Sequence, residues 1–492
     1  MRRQERAVRA AVIGGGISGL SSAFYLRRFA AERGLQAEIT IIEPAPALGG
    51  KISTLRKEGF VIEKGPDSFL ARKLPIIDLA DELGLADELV PINPSGKRAY
   101  ILHRGKLHPM PEGLVLGIPT EIAPFAATGL LSAGGKLRAA LDFVLPARKG
   151  SEDESIGAFL ERRLGPQVVE RVAEPLLAGI YAGELDKLSL RATFPQFREA
   201  ERKYGSLIRG MRRSRQASPS QAGKAGTAGR YKSAIFLTFR NGLSAMVEAL
   251  DRELASAERR MGVKAVGLRA AADRASADAD GEGRARYAVE LDNGGTVHAD
   301  TVIVTAPAFD AAPLLSPHLD VSMLESVRYV SVANVVLAFD KAAFGLEFEG
   351  SGFLVPRTEG RQITACTWTS TKWLHTSPPD KVLLRCYVGR AGDEDAVELP
   401  DDQLSAIVLN DIRDILGIKT EPLFTEVTRL RRSMPQYPVG HVERSRAFKS
   451  RLAEALPGVW AAGAAFDGIG LPDCIRQGKE TALAAVAELL SR

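Results

Sequence analysis

An α/β architecture, in which a discontinuous Rossmann-like domain joins a mixed-sheet domain and a helical domain, is what this 492-residue sequence predicts. Three observations carry the prediction. The apolar run Ala10-Ala-Val-Ile13 feeds the turn Gly14-Gly15-Gly16-Ile17-Ser18-Gly19 and then an apolar-periodic helix, the strand, turn and helix of a dinucleotide cradle. A second strand, 38–42, ends in Glu43, 24 residues after Gly19, where a carboxylate accepts hydrogen bonds from an adenosine ribose and argues against a 2′-phosphate. Two more apolar strands, 300–307 and 458–463, lie far downstream and end in Pro or Gly, as strands returning to the same sheet do.

Within the turn the glycines have separate tasks. Gly14 permits the tight bend, Gly16 lets backbone amides approach a pyrophosphate, and Gly19 lets the helix lie close to the strand. The pyrophosphate then meets the positive end of the helix. This first block spans 1–91. A mainly helical block, 92–210, precedes a tract rich in Ser, Gly, Ala, Lys and Arg at 211–231, which reads as a flexible surface loop. The dinucleotide domain resumes over 232–308: Asn241-Gly-Leu-Ser opens a helix, and Lys264-Ala265-Val266 begins a strand that 287–291 continues after a charged excursion. Residues 309–425 supply a second sheet, with strands at 330–339 and 382–388. The third part of the first domain, 426–492, contains the loop 464–473 and a final helix to Leu490, with Pro472 suited to its first turn.

Composition bounds the rest. With 45% hydrophobic and 25% charged residues the chain buries a large core, and its net charge of +5 comes from interleaved acids and bases that form a solvated surface rather than a nucleic-acid footprint. A basic bias also suits an acidic substrate. Three cysteines, none in a CxxC pair, and the absence of a secretory leader read as a reduced, cytoplasmic chain. The most apolar tract, 122–135, is broken by Pro124 and glycines and falls short of the ~20 residues a spanning helix needs, so no transmembrane segment is expected. Peripheral membrane contact through 114–145 stays open. The six histidines show no ligand spacing, so no metal is expected, and no GxSxG elbow appears. His441 reads as a structural histidine. A second GxGxxG is also missing, so electrons are expected to leave to oxygen or another acceptor rather than to arrive from NADPH.

After Glu43 come Pro44-Ala-Pro-Ala-Leu-Gly-Gly50-Lys51 and Glu63-Lys-Gly65-Pro66-Asp67-Ser68, and with them the first block resembles the flavin-dependent amine oxidase and phytoene desaturase superfamily. The resemblance then narrows. Gly65-Pro-Asp-Ser-Phe-Leu-Ala-Arg-Lys73, His108-Pro-Met-Pro-Glu-Gly113, Glu174-Pro-Leu-Leu-Ala-Gly-Ile-Tyr-Ala-Gly183, Ile363-Thr-Ala-Cys-Thr-Trp368, Met434-Pro-Gln-Tyr-Pro-Val-Gly-His441 and Gly470-Leu-Pro-Asp-Cys-Ile475 are similar to the protoporphyrinogen oxidase family. Within it they are most similar to the soluble Gram-positive branch, whose members act as coproporphyrinogen III oxidases. The resemblance implies an FAD-binding fold and a six-electron oxidation of a porphyrinogen in heme biosynthesis, with oxygen as acceptor and hydrogen peroxide as by-product. Protoporphyrinogen IX is the alternative substrate, and an amine oxidase or carotenoid desaturase is the alternative chemistry on this scaffold. Escort proteins for small GTPases share the fold without a flavin, but they lose cofactor motifs that this chain keeps.

Position by position, the resemblance implies FAD contacts at Gly14, Gly15, Gly16, Ile17, Ser18, Gly19, Glu43, Pro44, Lys51, Gly65, Pro66, Asp67, Ser68, Ala265, Ala464, Ile469, Gly470 and Leu471, with Ala265 standing where a larger apolar residue is usual. It implies that the last helix points its N-terminus at the flavin, where amides and dipole favour the anionic reduced ring. It places Arg72 or Lys73 near a propionate and Tyr387 near the macrocycle. Plant and mitochondrial relatives put an arginine immediately before the aromatic residue matched by Tyr100. Here Ala99 stands there, and Arg98 is carried as a candidate, although a strand step of one residue turns a side chain to the other face. No catalytic acid or base is identified; a ferrochelatase is the protein partner that the reading suggests.

Overall fold

A computed structural model describes residues 7–217, 226–270 and 285–491. Its first layer is a five-stranded parallel sheet in the order Glu258–Met261, Ala37–Glu43, Val8–Ile13, Thr301–Val304, Val459–Ala461. Three distant stretches of chain thus meet in one sheet. Along Val8–Ile13 the side chains alternate between two cores: Ala10 and Val12 pack with Leu20, Phe24 and Leu26, whereas Ala11 and Ile13 pack with Val302 and Val304. Helices therefore cover both faces, the burial that makes parallel strands read as continuous apolar runs. The edge strand Glu258–Met261, with two arginines, carries no such run, and sequence patterning does not find it.

Helix Ile17–Ala31 lies against the last helix, Leu471–Leu490, and small residues make the contact close. A Cβ added at Gly478 would fall 2.9 Å from the Ser18 carbonyl oxygen and 3.0 Å from Ser21 Cβ. Strand Ala265–Ala270 pairs antiparallel with Tyr287–Leu291, which pairs with Thr296–Ala299, so the two segments expected to continue one strand are neighbours instead. Most of the charged excursion between them lies outside the described residues.

The second sheet has seven strands, in the order Phe424–Pro435, Tyr329–Asp340, Lys381–Val388, Ile363–Trp368, Gly352–Leu354, Ala99–His103, Lys106–Pro109. Gly352–Leu354 and Ala99–His103 run parallel and the other pairs antiparallel, which makes it mixed. Two expected boundaries shift as a result. Residues 99–109 leave the helical block because Ala99, Tyr100 and Ile101 pair with 352–354, and 426–435 join this sheet because Phe424–Pro435 is a single 12-residue strand. One face packs on helix Asp401–Leu416 through Leu384, Cys386, Leu404 and Val408. The other faces the cradle and the helical layer.

In the helical layer, Phe159, Phe197, Leu164 and Leu207 form a third core. At its centre lies a fully buried ion pair, with Arg163 Nε 2.5 Å from Asp142 Oδ1 and both side chains at 0% exposure. Arg163 also donates to the carbonyls of Asp142, Leu145, Pro146 and Gly205, while Asp142 accepts from Ser206 Oγ and Ile208 N. The expected loop at 211–231 is narrower than its composition suggests. Helix Leu207–Ala217 runs into it from one side; on the other, Thr227–Arg230 forms a short helix with Thr227 buried and Tyr231 packed on the first core. The remainder, 218–225, lies outside the described residues.

Candidate functional site

The strand Val8–Ile13 ends at Gly14, whose φ of +111° only glycine adopts without strain. A Cβ there would also sit 2.6 Å from Thr305 Oγ1. At Gly19 a Cβ would fall 1.8 Å from the Gly14 carbonyl oxygen, so strand and helix touch backbone to backbone. Gly16 is different. Its φ of −75° suits any residue, and an added Cβ would meet only Gly50 Cα at 3.9 Å. Gly16 bridges to Gly49, and this pair of bare backbones stands next to the first turn of helix Ile17–Ala31. Glu43 is buried below the turn, accepting from Gly15 N at 2.6 Å through Oε2 and from Ala45 N at 2.8 Å through Oε1. Val263 N reaches its carbonyl, so Ala265 starts beside it. A cradle free of side chains, orphan helix amides and a carboxylate at the end of the second strand fit a dinucleotide pyrophosphate and ribose.

Lys51 leaves this turn with its ammonium donating to the Ser433 carbonyl and 5.9 Å from the Tyr329 ring centroid. Its side chain keeps solvent contact, yet protein surrounds it, and the lost hydration pushes the ammonium down to about 8. The Lys51 carbonyl lies so near Gly65 that a Cβ there would be 1.8 Å away. The 64–67 segment is held from behind by two sheets: from the second sheet Arg385 donates to the Gly65 carbonyl and Asn334 Nδ2 to the Lys64 carbonyl, and from the separate strand Phe236–Phe239 Thr238 Oγ1 donates to the Asp67 carbonyl. Burial opposes the charge of Asp67, but Lys372, 3.0 Å away, and Arg385 overcome it and hold the carboxyl well below the usual range.

Glu63, two positions before Gly65, behaves oppositely. Burial pushes its carboxyl up to about 7, against hydrogen bonds from Leu243 N and Thr54 Oγ1 and the pull of Arg385. In the unfolded chain it ionises near pH 4.5, so between about pH 4.5 and 7 the folded state holds the extra proton and stability from this group falls as pH rises. Glu63→Gln is therefore expected to gain stability relative to the wild type on going from pH 5 to pH 8, by on the order of 1 to 3 kcal/mol. Melting curves of both proteins across that range check it; a difference independent of pH would contradict it.

At the far end of the sheet, strand Val459–Ala461 leads into the 464–471 loop, which Tyr437 and His441 brace. Tyr437 Oη donates to the Ala464 carbonyl at 2.7 Å and accepts from Gly468 N; His441 Nε2 is 2.9 Å from the Phe466 carbonyl, and the two rings stack at 4.2 Å. His441 is thus a structural support. Helix Leu471–Leu490 starts here with Pro472 in its first turn. Asp473, also in that turn, takes Lys73 Nζ at 2.5 Å.

These positions sort the substrate candidates. Lys73 is committed to Asp473, whereas Arg72 is exposed. Tyr387 is half-buried, 3.3 Å from Thr367 Oγ1, with Arg385 Cζ 5.0 Å from its ring centroid, so it shares a sheet face with the group that holds Gly65. Arg98 does not join them. Ile101 packs into the helical core and Tyr100 against Trp368 on the opposite face, so alternation puts Ala99 on the site side and turns Arg98 towards Glu349, 3.9 Å away. Sequence reasoning misses Arg385, Lys372, Asn334, Tyr437 and Asp473. For Arg385 a signal existed: a lone charge inside the apolar run Val-Leu-Leu-Arg-Cys.

The chain is similar to known proteins along nearly its whole length. A family model described as flavin containing amine oxidoreductase matches residues 17–486. The coproporphyrinogen III oxidase of Bacillus subtilis (strain 168) is 47% identical over 480 residues, covering 98% of each chain. That of Staphylococcus aureus (strain NCTC 8325 / PS 47) is 39% identical over 482 residues, covering 97% of this chain and 99% of its own. A crystal structure from Exiguobacterium sp. 255-15, assigned provisionally as a protoporphyrinogen oxidase, superposes with a TM-score of 0.83 at 36% identity, covering 98% of this chain and 99% of its own.

Proposed function

This chain belongs to the flavin containing amine oxidoreductase family, and from that premise we propose that it is an FAD-dependent enzyme oxidising coproporphyrinogen III to coproporphyrin III. The observation that carries the reading is similarity to relatives of that name over 97 to 98% of this chain, and the glycine turn, in which Gly14 and Gly19 have no room for a side chain, supports it. In the proposal the reaction removes six electrons, oxygen takes them in three steps as hydrogen peroxide, and the enzyme works in the cytoplasm for heme biosynthesis. Among the described residues no helix is long and apolar enough to cross a membrane. Transient contact with a ferrochelatase or a membrane surface belongs to the same proposal.

FAD, when bound, supplies two-electron oxidation. The chain's part is to hold and orient. The 14–19 turn and its helix amides would take the pyrophosphate, Glu43 the adenosine ribose, and residues 44, 51, 65–68, 265, 464 and 469–471 the remainder of the cofactor. The first turn of helix Leu471–Leu490 favours negative charge through its dipole, although Pro472 has no amide hydrogen and the amides of Asp473 and Cys474 already donate to the Gly470 carbonyl. Asp473 by itself would weaken that field; Lys73 neutralises it at 2.5 Å. Among the described residues no group of three or more His, Cys, Asp or Glu is placed to hold a metal ion. Orientation is enough where a nitrogen-bound proton can leave through water and aromatisation drives the change.

Arg72 is the cation we assign to a propionate, now that Lys73 is seen to be engaged. Spectral assays with coproporphyrinogen III and protoporphyrinogen IX should show the first preferred. Because the contact is exposed, worth up to about 1 kcal/mol, Arg72→Glu should lower that preference by about two- to fivefold in kcat/KM. A wild-type preference for protoporphyrinogen IX would overturn the substrate assignment, and an unchanged ratio in the variant would overturn the role of Arg72.

A further inference from the structure

Between the 61–67 segment and the second sheet lies a small cavity of about 20 Å³, lined among others by Glu63, Asp67, Thr238, Trp373, His375 and Arg385. Three nitrogens of these residues have no hydrogen-bond partner: Arg385 Nε, Trp373 Nε1 and His375 Nδ1. Arg385 is 4% exposed and Trp373 2%, so bulk water does not satisfy them. Arg385 Nε and Trp373 Nε1 can only donate, and a buried donor left unpaired is costly. The space therefore calls for an acceptor. The carboxyls of Glu63 and Asp67 line the same wall and disfavour an anion, and the volume suits a single water, which needs two to four polar partners.

We propose that this cavity is a built site for one water molecule, and that Arg385, joining that water to the Gly65 carbonyl, is a positioning residue that fixes the 65–68 segment for FAD. Arg385 reaches Gly65 through Nη2, leaving Nε for the water. Because the Gly65 and Lys51 backbones are in contact, a shift at Gly65 displaces both segments assigned to the cofactor. Lys372 and Thr238 hold Asp67 from the same side, so the water completes a support that otherwise ends in unpaired donors. The role assigned to Arg385 rests on the placement of FAD against residues 65–68 given above.

The test has two arms. A wild-type crystal structure should show one spherical density peak within hydrogen-bond distance of Arg385 Nε; a cavity without density overturns the water site. FAD titration of the flavin-stripped proteins, followed by quenching of flavin fluorescence, should show a graded loss. Arg385→Lys, which keeps the charge and one donor, is expected to raise the dissociation constant about threefold, and Arg385→Gln about tenfold or more, with unchanged far-ultraviolet spectra. A constant for either soluble variant equal to that of the wild type overturns the positioning role. Should Arg385→Gln not fold, Arg385→Lys decides that role and the density decides the water. A wild-type protein that binds no flavin would instead refute the FAD reading itself.

Discussion

Gly16→Val is expected to give a folded, colourless protein. The backbone at Gly16, with φ −75° and ψ 179°, lies in the extended region that valine favours, and an added Cβ meets nothing nearer than Gly50 Cα at 3.9 Å. The fold therefore has no reason to reject the side chain. The cofactor does, because a branched group over the bare backbones of Gly16 and Gly50 occupies the space from which amides address a pyrophosphate. Visible flavin absorption after purification should fall to background while the melting temperature of the FAD-free protein stays close to that of stripped wild type. A Gly16→Val protein that keeps stoichiometric flavin would place the pyrophosphate elsewhere. Gly19→Val is the contrasting control, since its Cβ would collide with the Gly14 carbonyl oxygen and damage the fold itself.

The largest loss of stability is expected at Arg163. Arg163→Met leaves Asp142 charged, buried and without its cation in the centre of the helical layer, a change that costs about 3 to 5 kcal/mol where one partner of a buried pair is removed. The cost should be local at first. Limited proteolysis ought to open the helical segments near 141–146 and 205–208, whose carbonyls and amides the pair collects, before the parallel sheet is cut. Replacing both partners, as in Arg163→Met with Asp142→Leu, should recover part of the loss, because no uncompensated charge remains. Equal stability of the single variant and the wild type would show that the pair is dispensable.

The parts of this molecule that could be read from its sequence are those where one residue type answers one local demand. The 14–19 turn is such a place, since strand, glycines and helix are consecutive and Gly14, Gly15 and Gly19 each meet a steric limit of their own, while Gly16 leaves its space open. Glu43 is another, fixed by its spacing from the turn. The return of strands at 301–304 and 459–461 was visible because strands buried on both faces are apolar throughout. Edge strands gave no such signal. Glu258–Met261 and Lys106–Pro109 carry charge and lie at sheet margins, where only one neighbour constrains them. The fate of cations was equally hidden. Whether Lys73 meets a substrate or Asp473, 400 positions away, depends on where the last helix docks, and whether Arg98 faces the site depends on the register of Ala99–His103 with Gly352–Leu354. Composition misled at 211–217, where the end of the arginine-rich amphipathic helix Leu207–Ala217 resembles a loop until its apolar side, with Leu207, Ile208 and Met211 buried, is given a core to cover.

The discontinuity of the parallel sheet also sets an order of events during synthesis. Val8–Ile13 and Ala37–Glu43 leave the ribosome close together and can pair at once, but the next partner of Val8–Ile13 is Thr301–Val304, and the helix that closes on Ser18, Ser21 and Ser22 is Leu471–Leu490. While the intervening residues are made, at roughly 5 to 20 residues per second, one flank of the nascent sheet and one side of its first helix stay uncovered. The mixed sheet and the helical layer, whose strands and helices lie between those endpoints, have time to form first. The cradle is thus begun long before it is finished, and a site built from segments so far apart in the sequence gains affinity for its ligand only when the later helix has docked.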